Sequence, residues 1–148
     1  MVLVTDDDKV DRELILRYLK QIGHEGKEAA TGQECLQHLA RENFTCLILD
    51  YNLPDCTGLE LLFSIRKLGK KLPIILITGH GDEFLSKRLL NAGVDDYIPK
   101  DKLTPEILKV FITLALERNK EKEQLDAVIN KLQNFLQEIQ NDLKERLR

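Results

Sequence analysis

The chain has 148 residues, 43% of them hydrophobic, which is enough for one domain with a sizeable core and excludes disorder of the whole. Charged residues are abundant, but 22 basic against 25 acidic side chains leave a net charge of -3, with no basic stripe of the kind that holds nucleic-acid phosphates. The N-terminus has no signal-peptide pattern and no apolar stretch approaches membrane-spanning length, so a cytoplasmic chain without nucleic-acid or membrane partners is expected.

Val2-Leu3-Val4-Thr5 reads as a strand running into three aspartates. Residues 8–22 then form a helix that would bury Leu14, Ile15, Leu19 and Ile22, with Asp8 as its cap. A weak strand near 25–30 precedes a helix from 31 to about 43, where Thr31 and Glu34 have capping-box spacing. Cys46-Leu47-Ile48-Leu49 is apolar on successive residues, as a strand covered on both faces must be, and it stops at Asp50. Thr57 and Glu60 form a second capping box, opening a helix through Arg66. Ile74-Ile75-Leu76-Ile77 repeats the buried-strand pattern and stops at Thr78; a helix over about 82–91 and a strand over 94–98 follow. Strands alternating with helices predict a doubly wound parallel five-stranded α/β sheet of flavodoxin-like (βα)5 order. Cys35, Cys46 and Cys56 have neither CxxC nor metal-ligand spacing and read as reduced packing residues, while His24 and His38 are assigned to the surface.

Thr104-Pro105-Glu106 is a helix start with a capping hydroxyl and proline in the first turn, and no glycine or proline follows before Arg148. One extended C-terminal helix over 104–148 is therefore expected. Alternate steps of three and four from Leu108 meet Phe111, Ala115, Arg118, Lys122, Leu125, Ile129, Leu132, Leu136, Ile139, Leu143 and Arg146. That 3.5-residue repeat predicts a left-handed coiled coil from about 119, weakened where Arg118 and Lys122 occupy seam positions. Folding back on the chain's own domain is the competing arrangement, but at about 1.5 Å per residue some 45 helical residues would reach about 67 Å, beyond a small domain's diameter.

Ligands of such sheets bind beyond the carboxyl ends of the strands, which points to Asp6, Asp7, Asp50, Thr78 and Lys100. Three converging carboxylates repel one another unless a cation sits among them, and a hard divalent ion such as Mg2+ suits carboxylate, carbonyl and phosphate oxygens. Thr78 can donate to a phosphoryl oxygen, and Lys100 can stabilise an oxygen-rich transition state. An aspartate can then serve as the nucleophile.

With Val4-Thr5-Asp6-Asp7-Asp8, Leu49-Asp50-Tyr51-Asn52-Leu53-Pro54-Asp55, Leu76-Ile77-Thr78-Gly79 and Asp96-Tyr97-Ile98-Pro99-Lys100 each following a strand or closing one, residues 1–118 resemble the receiver domains of two-component response regulators. The resemblance implies that Asp50 is the phosphoacceptor, that Asp6, Asp7, Asp50 and the backbone carbonyl of Asn52 hold Mg2+, and that Thr78 and Lys100 hold the phosphoryl group. It makes Tyr97 the aromatic switch partner of Thr78. It also implies a histidine kinase or phosphotransfer protein as donor, with self-phosphorylation and autodephosphorylation as the only chemistry. Thr57 stands before Gly58 where receivers commonly carry an acid, a departure of small expected effect. Asn52 and His80 would flank the path of the hydrolytic water. The C-terminal helix would make a parallel homodimer and link to an output domain beyond Arg148. Two competing readings are a silent scaffold, opposed by the intact acidic set, and a dehalogenase-type phosphatase, opposed by Asn52 where a second acid belongs. A flavodoxin is opposed by aspartates in the loop after the first strand, which would repel a phosphate.

Overall fold

The computed structural model describes residues 1–79 and 83–148, and of residues 83–86 the backbone alone. In chain order the elements are β1 (Val2–Thr5), α1 (Lys9–Gln21), β2 (Gly26–Ala29), α2 (Gly32–Arg41), β3 (Cys46–Asp50), α3 (Gly58–Lys67), β4 (Ile74–Thr78), α4 (Glu83–Asn91), β5 (Asp96–Pro99), a 3-10 turn (Lys100–Lys102) and α5 (Pro105–Arg146). All strands are parallel and the sheet order is β2-β1-β3-β4-β5, the flavodoxin-like order. The three central strands, β1, β3 and β4, are buried at every position, so their unbroken apolar runs serve two faces at once. Leu3, Leu47, Leu49 and Leu76 point to a core shared with Leu39, Leu61 and Ile65. Val4, Ile48, Ile75 and Ile77 point to the opposite core, closed by Ile15, Leu19, Leu108 and Ile112. The edge strand β2 buries Ala29 alone, which is why its sequence signal is weak.

The helix starts follow their capping residues. Asp8 accepts from the backbone N–H groups of Val10 and Asp11 at 2.8 and 3.2 Å, and Thr104 accepts from that of Ile107 at 3.1 Å. Thr31 accepts from the Glu34 N–H at 3.0 Å, but the Glu34 carboxylate reaches back to the Ala30 N–H at 2.7 Å, so the box closes one residue earlier than its spacing suggests. At α3 the Thr57 hydroxyl accepts from the Glu60 N–H at 3.2 Å and donates to the Glu60 carboxylate at 3.2 Å.

Several expectations shift. Ile15 and Leu19 of α1 are buried, whereas Leu14 and Ile22, the residue that caps the helix's C-terminus, are half-buried. The last strand starts at Asp96 instead of 94, because the Asp95 carboxylate takes the Ile74 N–H at 2.7 Å and its own N–H donates to the Ile74 carbonyl at 2.8 Å. His24 and His38 are half-buried, and the His38 ring meets Phe44 edge-on at 6.4 Å between centroids. All three cysteines are free, with Cys35 and Cys46 fully buried.

The β3–α3 loop is fastened at its far side. Both Asp55 carboxylate oxygens accept from the start of α2, from the N–H groups of Gly32 at 2.9 Å and Gln33 at 3.0 Å. Gly58 closes the loop by donating to the Tyr51 carbonyl at 2.8 Å. A Cβ at Gly58 would stand 2.9 Å from Tyr51 Cδ2 and 3.3 Å from its Cα, so a glycine is required there by close approach. Gly58→Ala is expected to cost about 1–3 kcal/mol in urea unfolding, as overpacking does, despite alanine's better helix propensity. An unchanged midpoint would show that Tyr51 yields freely.

The chain divides into two compact units, Met1–Leu116 and Glu117–Arg148. Helix α5 contributes Leu108, Ile112 and Ala115 to the core of the first unit. In the second unit residues 120–148 are all exposed, and the seam residues Leu125, Ile129, Leu132, Leu136, Ile139 and Leu143 lie between 41% and 60% exposed. No helix among the described residues is long and apolar enough to cross a membrane.

Candidate functional site

Because β1, β3 and β4 are adjacent and in register, with Thr5 opposite Leu49 and Asp50 opposite Ile77, their carboxyl ends emerge side by side. Asp6 follows β1, Asp50 ends β3 and Thr78 ends β4; all three are buried, while Asp7 is exposed. Carboxylate oxygens of Asp6, Asp7 and Asp50 lie within 4.8 Å of one another. From the turn after β5, the Lys100 ammonium stands 3.5 Å from Asp6 Oδ2 and 3.5 Å from Asp50 Oδ2. Thr78 is opposite Pro99 in the ladder and Tyr97 opposite Leu76; Tyr97 is half-buried against the core that holds Leu61 and Ile65. Asn52 lies exposed in the loop after β3, bridged to Thr57, and its backbone N–H is directed to Asp50. His80 lies outside the described residues.

Burial pushes the Asp6 carboxyl up to about 6, with the charges of Asp50 and Asp11 adding to it against the Asp8 N–H and Lys100. Burial likewise raises Asp50, helped by Asp7 and opposed by Lys100 and the Asn52 N–H. For Lys100 burial disfavours the charged form, yet Asp11, Asp50 and Asp6 outweigh it and hold the ammonium above the ordinary lysine value.

The donor set fits a hard divalent cation. Asp6 Oδ1 accepts from the Asp8 N–H at 2.9 Å, whereas Asp6 Oδ2 is buried with no hydrogen bond and only the Lys100 ammonium at 3.5 Å, in a carboxylate grouped with those of Asp7 and Asp50. An oxygen in that condition is costly to ionise, and an oxygen-seeking ion such as Mg2+ would relieve it.

Sequence reasoning missed two residues that shape this site. Arg12 donates to the Asp6 carbonyl at 2.9 Å, bracing the turn after β1. Asp11 accepts from Lys100 at 2.9 Å, the shortest of that lysine's three carboxylate contacts. Its signal was present: Asp8 and Asp11 have capping-box spacing, so Asp11 should turn back to the Asp8 N–H. That N–H instead goes to Asp6, which leaves the Asp11 carboxylate for Lys100.

Comparison with known proteins is consistent across sequence and structure. The family profile described as "Response regulator receiver domain" matches residues 2–112. The chain is 35% identical over 129 residues to Response regulator MprA of Mycobacterium leprae, covering 86% of this chain and 55% of that one. It is 32% identical over 118 residues to Sensor histidine kinase RcsC of Escherichia coli, covering 80% of this chain but 12% of that protein. Among solved structures, a CheY-like response regulator receiver domain protein from Methanospirillum hungatei superposes with a TM-score of 0.74 at 33% identity, covering 82% of this chain and 96% of that one. NtrX from Brucella abortus in complex with ADP superposes with a TM-score of 0.80 at 29% identity, covering 86% of this chain and 29% of that one. The chain thus spans from about an eighth to about three-fifths of the curated relatives it matches.

Proposed function

Since the chain belongs to the response regulator receiver family, we propose that it takes a phosphoryl group onto Asp50 in the presence of Mg2+ and passes the change through a C-terminal coiled-coil homodimer to an output domain. The observation that carries the reading is the buried Asp50 carboxylate, grouped with Asp6 and Asp7 within 4.8 Å and 3.5 Å from the Lys100 ammonium. A receiver implies a histidine kinase or phosphotransfer protein as donor, in the cytoplasm. One Asp50 oxygen attacks phosphorus as the bond to the donor nitrogen breaks, the electron pair leaving with the nitrogen, so an acyl phosphate replaces a phosphohistidine.

Mg2+, held by Asp6, Asp7, Asp50 and the Asn52 carbonyl, would supply neutralisation of the charge gathered between acceptor and phosphoryl oxygens. Lys100 pairs with the incoming phosphoryl group, and the Thr78 hydroxyl donates to it from the end of β4. Drawing Thr78 inward frees space beside β5, and Tyr97, close by in the neighbouring strand, follows as the second half of the switch. No turnover of a separate substrate is proposed; hydrolysis of its own acyl phosphate resets the domain. The coiled coil is supported by the exposed aliphatic seam of the second unit.

The reading is tested by incubating the protein with acetyl phosphate and Mg2+ and measuring intact mass. A single phosphoryl adduct, mapped to Asp50 after borohydride reduction, is expected. No adduct together with no beryllofluoride uptake would favour the silent scaffold.

Protons and the cation compete for Asp6. With its carboxyl raised from 3.8 to about 6, Mg2+ affinity should fall by up to about tenfold per pH unit below that point. The metal-free fold behaves oppositely. The folded state keeps this proton longer than the unfolded chain does, so stability is lost as pH rises from about 4 to about 6 and the cost persists above. Calorimetric titration of Mg2+ at several pH values reads the first effect and thermal melts without metal the second; an affinity flat across pH 5 to 7.5 would show that no proton on Asp6 competes with the cation in that range.

A further inference from the structure

The Lys100 ammonium is shared among three carboxylates, and the acceptor is not the nearest of them. It donates to Asp11 Oδ2 at 2.9 Å and stands 3.5 Å from Asp50 and from Asp6. Asp11 is in the first turn of α1, and its carboxylate is not engaged in closing the helix cap, because Asp6 accepts the Asp8 N–H. A small cavity walled by Leu14, Ile15, Ile77 and Leu103 adjoins the pair, so its inner side is apolar, while Lys100 and Asp11 remain 33% and 37% exposed. Low-dielectric walls strengthen a charge-assisted hydrogen bond, and the partial exposure keeps it breakable.

We propose that Asp11 is a positioning residue that holds Lys100 by its shortest hydrogen bond and must release it when the phosphoryl group arrives, thereby setting how strongly Asp50 holds that group. The inference rests on the phosphoacceptor reading of Asp50 and deepens it. The phosphoryl oxygens and Asp11 compete for one ammonium. Among the carboxylates that favour the charged lysine, Asp11 contributes most, through its hydrogen bond. Removing its charge while keeping its shape leaves Lys100 with its two longer pairs to Asp50 and Asp6, and the ammonium then meets an incoming phosphoryl group without first giving up its shortest hydrogen bond. Asp11 forms no bond to the reacting atoms in this scheme; it acts through Lys100.

Beryllofluoride binding in saturating Mg2+, followed by 19F resonance, tests this with wild type, Asp11→Asn, Lys100→Gln and the double variant. Asp11→Asn should bind about fivefold tighter than wild type, the scale of a partly exposed ion pair. Lys100→Gln should bind more weakly, and adding Asp11→Asn to it should change nothing. Asp11→Glu should restore wild-type affinity. An unchanged or weaker Asp11→Asn overturns the proposal, and so does a gain of the same size in the Lys100→Gln background, which would make Asp11 a bare negative charge. Thermal melts of each variant separate a loss of fold from a loss of binding. Wild type that takes up no beryllofluoride overturns the phosphoacceptor reading itself, whereas normal uptake with no Asp11 effect overturns this inference alone.

Discussion

Asp50→Asn is expected to lose phosphoryl uptake completely and, at neutral pH without metal, to melt higher than the wild type. The first effect is chemical, since an amide nitrogen and carbonyl cannot replace a carboxylate as nucleophile toward phosphorus. The second follows from the environment. Asp50 is buried beside two other carboxylates, and its pKa is raised even though Lys100 and the Asn52 N–H work to lower it. A raised carboxyl costs stability once it ionises, so the penalty applies above the ordinary carboxylate range and vanishes as pH falls through it. Asparagine keeps the shape and removes the charge. The melting difference should therefore shrink at low pH and also in Mg2+, where the wild type is relieved. Melts across pH with and without metal, beside intact mass after acetyl phosphate, read both effects. A variant that melts lower throughout would mean that the Lys100 pairing outweighs the burial of the Asp50 charge, contrary to the raised pKa.

On the proposed coiled-coil homodimer, the pair of substitutions Ile129→Asp and Leu136→Asp should give a monomer while leaving the first unit folded. Both residues fall on the seam of the second unit, are 41% and 57% exposed in the single chain, and belong to neither of the two core clusters that flank the sheet. In a two-stranded coil each would be a knob facing its mate, and a charge there replaces burial with repulsion. Losing a buried aliphatic at about 2–4 kcal/mol per site, over two sites in each of two chains, should weaken association by about six orders of magnitude or more. Light scattering reads the mass, and phosphorylation of Asp50 reports that the first unit survives. The reverse change, Arg118→Leu with Lys122→Leu, should tighten the dimer and uncouple it from phosphorylation. Wild type that is monomeric at high concentration would remove the coiled coil altogether.

Much of this was readable in advance because the sheet imposes its own arithmetic. A strand covered on both faces needs apolar residues at every position, so the ends of Cys46-Leu47-Ile48-Leu49 and Ile74-Ile75-Leu76-Ile77 marked where Asp50 and Thr78 would emerge. Parallel register then set the acids from β1 and β3 side by side. The end of the sheet was less legible. At β5 a side chain, the Asp95 carboxylate, takes over a backbone partner, and no periodicity announces that substitution. The 3-10 turn Lys100-Asp101-Lys102 has no apolar pattern at all, although it places the lysine of the site. Asp11 escaped for a different reason: the Asp8 N–H can satisfy either Asp11 or Asp6, and which acceptor wins is settled only where β1 turns into α1.

The fastening of Asp55 to the start of α2 has a consequence for how the site spends its free energy. The segment from Asp50 to Asp55 is pinned by the sheet at one end and by two N–H groups at the other, with Gly58 locked to Tyr51 behind it. Such a span has little conformational entropy left to surrender when a phosphoryl group docks on it. Under the proposed phosphoacceptor reading, a phosphoryl group docking there would meet a ready-made frame, and the ordering cost would fall on whatever must move elsewhere.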